Sequence, residues 1–316
     1  MPSEGLFERY INFYTDFAFK KFFGTPANKE FLISFLNALL KLKGDEEIKD
    51  ITHLNTEQLP NIESDRKAIY DVYCENNKGE KFIVEMQRAS QINFVDRSIY
   101  YSAFPIQEQG VRGYLSKIDK KYINWDYSLK KVYIVGILSF ILDEKPNHNE
   151  IITHARLRYD EYSNEIYSDK LEFINIELPK FNKQVEELDD DNMLDKWLFA
   201  IKNLYHLMDR PQALREAIFT RLFNLAEISK YNKAERLAYQ ESLKDYRDYY
   251  NTIASAEERG REEGRAEGRE EGEMIGIKKG REEEKLEMAR KMKADGMPFE
   301  IIIKYSGLSK DEIEKL

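Results

Sequence analysis

Residues 71 to 87, DVYCENNKGEKFIVEMQ, set two short apolar runs on either side of Asn77-Lys78-Gly79, and one face of each run carries carboxylates. β-Branched and aromatic flanks joined by a short connection containing glycine predict a β-hairpin. With the turn centred on Lys78, Asp71 lies across from Glu85 and Ile69 from Gln87. The other face checks this register. There Tyr70 meets Met86, Val72 meets Val84 and Cys74 meets Phe82, an unbroken apolar surface of the kind that pins strand pairing. The carboxylate face gathers Asp71, Glu85 and Gln87, with Glu75 and Lys81 paired nearer the turn. Two facing carboxylates within about 5 Å repel, and a bound cation removes that cost. Oxygen ligands of this kind suit Mg²⁺ or Mn²⁺, which take one or two carboxylates and keep several waters. The alternative is a hairpin whose second face is simply solvated, with Asp71 and Glu85 as ordinary surface groups.

Outward from the hairpin, apolar residues recur at helical spacing from Ile11 to Phe23 and from Asn28 to Leu40, with Thr25-Pro26 as a break. Further strands are predicted at ITHLNTEQL, KVYIVGILSFIL, IITHARLRY and LEFINIELP, and a helix from Val95 to Gln109. That order of elements is α/β or α+β. The chain has 316 residues, 42% of them hydrophobic, enough for a full core. Cys74 is the lone cysteine, which excludes an intrachain disulfide or a cysteine zinc site. No signal-like segment opens the sequence, so a reducing cytoplasm is expected. The longest apolar run, Tyr133 to Leu142, is too short to span a bilayer, so no membrane association is expected.

A net charge of -9 argues against a basic protein that coats DNA, because phosphate neutralisation supplies most non-specific affinity. Any contact with nucleic acid must be local. The best patch carries Lys117, Lys120, Lys121, Lys130 and Lys131 interleaved with Tyr114, Tyr122, Trp125 and Tyr127, suited to backbone pairing plus base stacking. A solvated loop with partly buried aromatics is the competing reading.

After Pro179 the pattern changes to long amphipathic helices, Met193 to Met208, Pro211 to Ser229 and Asn232 to Ala254. Beyond them Gly260, Gly264, Gly268, Gly272, Gly276 and Gly280 fall at a strict spacing of four. Each costs a helix about 1 kcal/mol relative to Ala, roughly 5 to 6 kcal/mol in all. Close approach of a second helix along the glycine ridge would offset this, which predicts self-association through the tail; a frayed, charged linker is the alternative. The last stretch resembles a helix-turn-helix, but its final helix, SKDEIEKL, carries Asp311, Glu312 and Glu314, the wrong sign for phosphate. Charge therefore favours a small cap or pairing element. The expected divisions are a core over 1–182, a helical domain over 183–254, and the glycine-repeat helix with a short helical element over 255–316.

Asp followed, across a short hairpin, by Glu-x-Lys or Glu-x-Gln resembles the active-site motif of the PD-(D/E)XK nuclease superfamily. Here Asp71, Glu85 and Gln87 carry it. The surroundings are similar to one branch, the recombination-promoting nuclease (Rpn) and transposase family. The similar stretches are TDFAFKKFFG, DRKAIYDVYCENNKGEKFIVEMQ, FVDRSIYYSAFPIQEQG, DYSLKKVYIVGILSF, INIELPKFNK, KWLFAIKNLYHL, YQESLKDYRDYYN, the glycine repeat and SGLSKDEIEKL. The resemblance implies an α/β, restriction-endonuclease-like fold: a mixed sheet flanked by helices, followed by a helical C-terminal lobe and tail. It also implies a DNA endonuclease dependent on Mg²⁺ or Mn²⁺, linked to recombination or transposition. Asp71 and Glu85 would be metal ligands, the Met86 carbonyl a third, and Gln87 would orient the attacking water. Asp16 matches an acidic position of the family; a capping role in its helix is the alternative. Gln87 departs from the commoner lysine and brings no positive charge. The rival functions are a non-catalytic DNA- or protein-binding module derived from a mobile element, and an RNA phosphodiesterase.

Overall fold

The structure, a computed structural model, describes residues 8–58, 68–89, 93–115, 127–142, 149–162 and 165–316. They fall into two compact units, Met1–Arg247 and Asp248–Leu316.

The first unit is built on a mixed six-stranded sheet. Helices α1 (Asp16–Phe23) and α2 (Lys29–Leu40) lead into the sheet. β1 (Ile51–His53) is followed by a two-strand ribbon of β2 (Glu57–Gln58) and β3 (Ala68–Ile69). Next come β4 (Val72–Asn76), β5 (Lys81–Gln87), helix α3 (Phe94–Leu115), β6 (Val132–Leu138), β7 (Ile152–Arg158) and β8 (Ile166–Glu177). The sheet order is β1-β4-β5-β6-β8-β7. Its centre, β5-β6-β8, is parallel, and its outer pairs are antiparallel. A parallel step needs a crossover, and α3 supplies the one between β5 and β6. This is the expected mixed sheet flanked by helices.

Strand alternation divides the side chains between two buried faces. Val72, Cys74, Phe82, Val84, Met86, Tyr133, Val135 and Ile137 point to one, where α1, α2, α4 (Met193–Asn203) and α5 (Ala217–Ala226) cover them. Trp197 of α4 sits at the centre of that layer, fully buried, and its indole N–H donates to Ser34 Oγ at 3.0 Å. Helices from residues 183 to 247 therefore share one core with the N-terminal helices. The opposite face, with Tyr73, Ile83, Val132 and Ile134, is covered by α3 through Tyr101 and Phe104.

The hairpin pairs as its apolar residues demand: Val72 with Val84, Cys74 with Phe82 and Glu75 with Lys81. Gly79 takes φ +80, a conformation that favours glycine, and Asn76 Oδ1 accepts the N–H groups of Lys78 and Glu80 to close the turn. One expectation is corrected. Ile69 does not face Gln87; it pairs with Glu57 and is 58% exposed, while Tyr70 joins the α3 face instead of facing Met86. The chain bends at Asp71, and Tyr70 N–H goes to the Thr56 carbonyl in place of a ladder bond.

Helix α6 (Lys233–Ala294) runs unbroken through all the spaced glycines. Within the second unit, Ala289 near its end packs with Ile302 of α7 (Phe299–Ser306) and Ile313 of α8 (Lys310–Glu314). Gly307 ends α7 at φ +72, and Ser309 with Glu312 forms a capping box that starts α8.

Candidate active site

The bend at the start of β4 brings Asp71 over the last turnings of β5. Asp71 N–H donates to Glu85 Oε1 at 3.1 Å, and Met86 N–H donates to Asp71 Oδ2 at 2.8 Å. Gln87 Nε2 donates to the other Glu85 oxygen at 3.2 Å. From α3, Arg97 Nη2 donates to Gln87 Oε1 at 2.6 Å. Asp71, Glu85 and Gln87 are thus brought together. The Gln87 carbonyl accepts from Ser139 N–H, toward β6, so by alternation the Met86 carbonyl faces the opposite edge, where Asp71 lies.

Two acids packed this closely are hard to ionise together. Burial, and then the charge of Asp71, push Glu85 up to about 8, against the pull of the Asp71 N–H, Arg97 and Lys20. Asp71 is also raised, first by burial, with Asp16 adding to the effect and the Met86 N–H, Lys20 and Arg88 opposing it. Asp16 stands in the first turn of α1, half-exposed and paired with Lys20 at 2.9 Å. It bears on the site electrostatically and serves its helix as well; the N-cap itself is Thr15.

Strand β6 crosses the site at Gly136, which lies level with Glu85 on one side and Asn175 of β8 on the other. A Cβ there would come within 3.3 Å of the Phe94 ring and of Asn175 Oδ1, so a side chain at this position would press on the packing of the first residue of α3. A cavity of about 580 Å³ opens beside it between α3, β7 and β8, with Phe94, Ser98, Phe173 and Asn175 in its wall.

Among the described residues, no three His, Cys, Asp or Glu side chains converge as a ready-made metal site. The donor set still fits a small divalent cation: two carboxylates that repel, with a backbone carbonyl facing the same edge, leave the remaining positions to water.

Of the expected nucleic-acid contacts, Lys117, Lys120, Lys121 and Trp125 lie outside the described residues. Lys130 and Lys131 precede β6 at its other end, where Val132 lies level with Lys81, roughly 17 to 20 Å along the strands from the level of Glu85. Lys131 is occupied, with Nζ 2.6 Å from Glu172, and the Lys130 side chain lies along the hairpin turn at Gly79. The structure does not bring this pair to the carboxylates. The cations that do bear on them, Lys20, Arg88 and Arg97, were not singled out from the sequence. An arginine in the first turn of the helix after Glu-x-Gln, and a lone polar residue in the apolar run INI, were the available signals for Arg97 and Asn175.

Residues 13–256 match the PD-(D/E)XK nuclease family transposase profile. The chain belongs to that nuclease family. Residues 282–316 match a second profile, the C-terminal HTH domain of the Rpn/YhgA-like nuclease family. Searches of curated proteins and of solved structures returned no match. The second match reverses the preference that charge had suggested. Residues 282–316 hold the end of α6, α7 and α8, and the profile they match is that of a helix-turn-helix.

Proposed function

We propose that the protein is a metal-dependent DNA endonuclease that serves recombination or transposition in the cytoplasm. The observation that carries this is the close pairing of Asp71 and Glu85 across β4 and β5, with Gln87 bonded to Glu85 on the same face. Asp71, Glu85 and the Met86 carbonyl would hold Mg²⁺ or Mn²⁺, with Asp16 contributing charge from α1. When bound, a divalent metal lowers the pKa of water and offsets charge on the phosphate. The Gln87 amide, fixed at both ends, keeps an N–H to orient the attacking water. Hydrolysis joins the water oxygen to phosphorus and breaks one P–O ester bond; the water proton leaves to solvent and the departing oxygen takes one up. This chemistry requires neither a histidine base nor a side-chain nucleophile.

The helix-turn-helix match favours DNA as the polymer, with Lys117, Lys120, Lys121, Trp125, Lys130 and Lys131 as a further contact region. The glycine ridge of α6 favours self-association of the tail. Nicking of supercoiled plasmid in Mg²⁺, lost in Asp71→Asn and Glu85→Gln, tests the activity. Wild type that leaves DNA intact but cleaves RNA would replace the substrate, and cleavage by both variants would remove the site assignment.

A further inference from the structure

We infer that Arg97 is the residue that positions Gln87 and gives this centre its positive charge. The role rests on the nuclease reading above and extends it to a residue on a different element. Gln87 is bonded at both ends, its Oε1 to Arg97 at 2.6 Å and its Nε2 to Glu85 at 3.2 Å. Turning the amide over would set its NH₂ against a guanidinium that can only donate, and would withdraw the N–H that Glu85 Oε2 accepts. One orientation survives, and Arg97 selects it. Without Arg97 the carbonyl end loses this donor.

A neutral amide cannot answer the negative charge that gathers on a phosphate under attack, whereas a guanidinium stays charged at every working pH. Arg97 is held in place by its surroundings. It stands in the first turn of α3, with its guanidinium carbon 6.0 Å from the Phe94 ring centre and 5.8 Å from that of Tyr101. Phe94 in turn packs on bare Gly136, so the helix start is seated against the sheet beside Glu85. Of the three cations bearing on the carboxylates, Arg97 is the one recorded, among the described residues, in a hydrogen bond to Gln87; Lys20 is engaged by Asp16.

The test is an exchange of charge between helix and strand, read on full-length protein with a plasmid substrate. Arg97→Gln should lower kcat at least tenfold while KM for DNA stays within twofold, and Gln87→Lys should also lower it because an ammonium then faces the guanidinium. The pair Gln87→Lys with Arg97→Gln moves the charge without removing it, and should cleave at least tenfold faster than Arg97→Gln alone. Wild-type kcat in Arg97→Gln, or a double variant no faster than that single one, would overturn the role. A second readout needs no cleavage. The side-chain amide ¹⁵N signals of Gln87, assigned by their loss in Gln87→Leu, should shift and exchange faster with water in metal-free Arg97→Gln. Unmoved signals would overturn the positioning whatever the kinetics, whereas a wild type that cuts neither DNA nor RNA would overturn the nuclease reading and leave the amide signals to decide the Arg97 role.

Discussion

The hydroxyl of Tyr70 donates to the backbone carbonyl of Tyr101 at 3.0 Å, four residues before Pro105 in α3. Proline has no N–H, so within the helix that carbonyl lacks its usual donor, and Tyr70 takes the donor's place. The bond ties α3 to the residue next to Asp71. Tyr70→Phe should destabilise the protein by about 1–3 kcal/mol, the cost of an unsatisfied buried acceptor. Adding Pro105→Ala should recover part of the loss by restoring the helical donor. Chemical denaturation of the two single variants and the double variant measures the coupling, and strict additivity would remove the link.

The raised carboxylates set a pH dependence in the metal-free protein. Between the ordinary glutamate value of 4.5 and about 8, folded protein keeps the Glu85 proton that the unfolded chain has released. Stability is then fully present below that lower value and is lost as pH rises through the window. Melting temperature should fall from pH 5 to 8 in wild type and fall less in Glu85→Gln. Glu172 has the opposite sign: burial would raise it, but hydrogen bonds from Arg156, Lys131 and His154 prevail and hold it at about 2, so its contribution is lost only in acid. An equal slope for both proteins from pH 5 to 8 would contradict the strain assigned to Glu85.

Mn²⁺ should reverse that strain. At a concentration 100 times its Kd, a ligand that binds only folded protein stabilises it by about 2.7 kcal/mol. Calorimetry at pH 8 should register an upward shift in wild type and none in Asp71→Asn or Glu85→Gln. Equal shifts in all three would place the ion elsewhere.

Among the described residues, none of the six spaced glycines of α6 has an atom from outside its own stretch of helix within 4 Å of where a Cβ would stand. Gly264→Ala with Gly268→Ala should therefore raise the stability of the isolated helix by about 1 kcal/mol per site. If a second chain packs along the ridge, the same changes should lower the mass seen by light scattering, as should deletion of residues 255–316. A mass unaffected by either change would rule out self-association through the tail.

The register of the β4-β5 hairpin was legible because each buried pair on one face is apolar, and a slip by one residue would have exposed them all. The bend at Asp71 was not, since AIYDV keeps strand character straight through it; the departure of Tyr70 and Ile69 depends on β2, a partner brought in from elsewhere in the chain. Asp71, Glu85 and Gln87 could be found by alternation along strands. Arg97 could not, because it reaches Gln87 from a helix whose angle to the sheet is set by Phe94 on Gly136. At the C-terminus, formal charge on α8 argued against the helix-turn-helix whose profile residues 282–316 match, while the small core of Ala289, Ile302 and Ile313 is unaffected by surface sign.

The bend at Asp71 also makes the two carboxylates mechanically unlike. Glu85 sits in a strand laced to neighbours on both sides, whereas Asp71 stands just outside its ladder, where the chain turns away. The two carboxylates are therefore anchored differently, Glu85 by its strand and Asp71 by its bonds to Glu85 and to the Met86 N–H. If a divalent ion binds there as proposed, a change in its size would be met by Asp71, while the Gln87 amide would stay with the strand held on both sides.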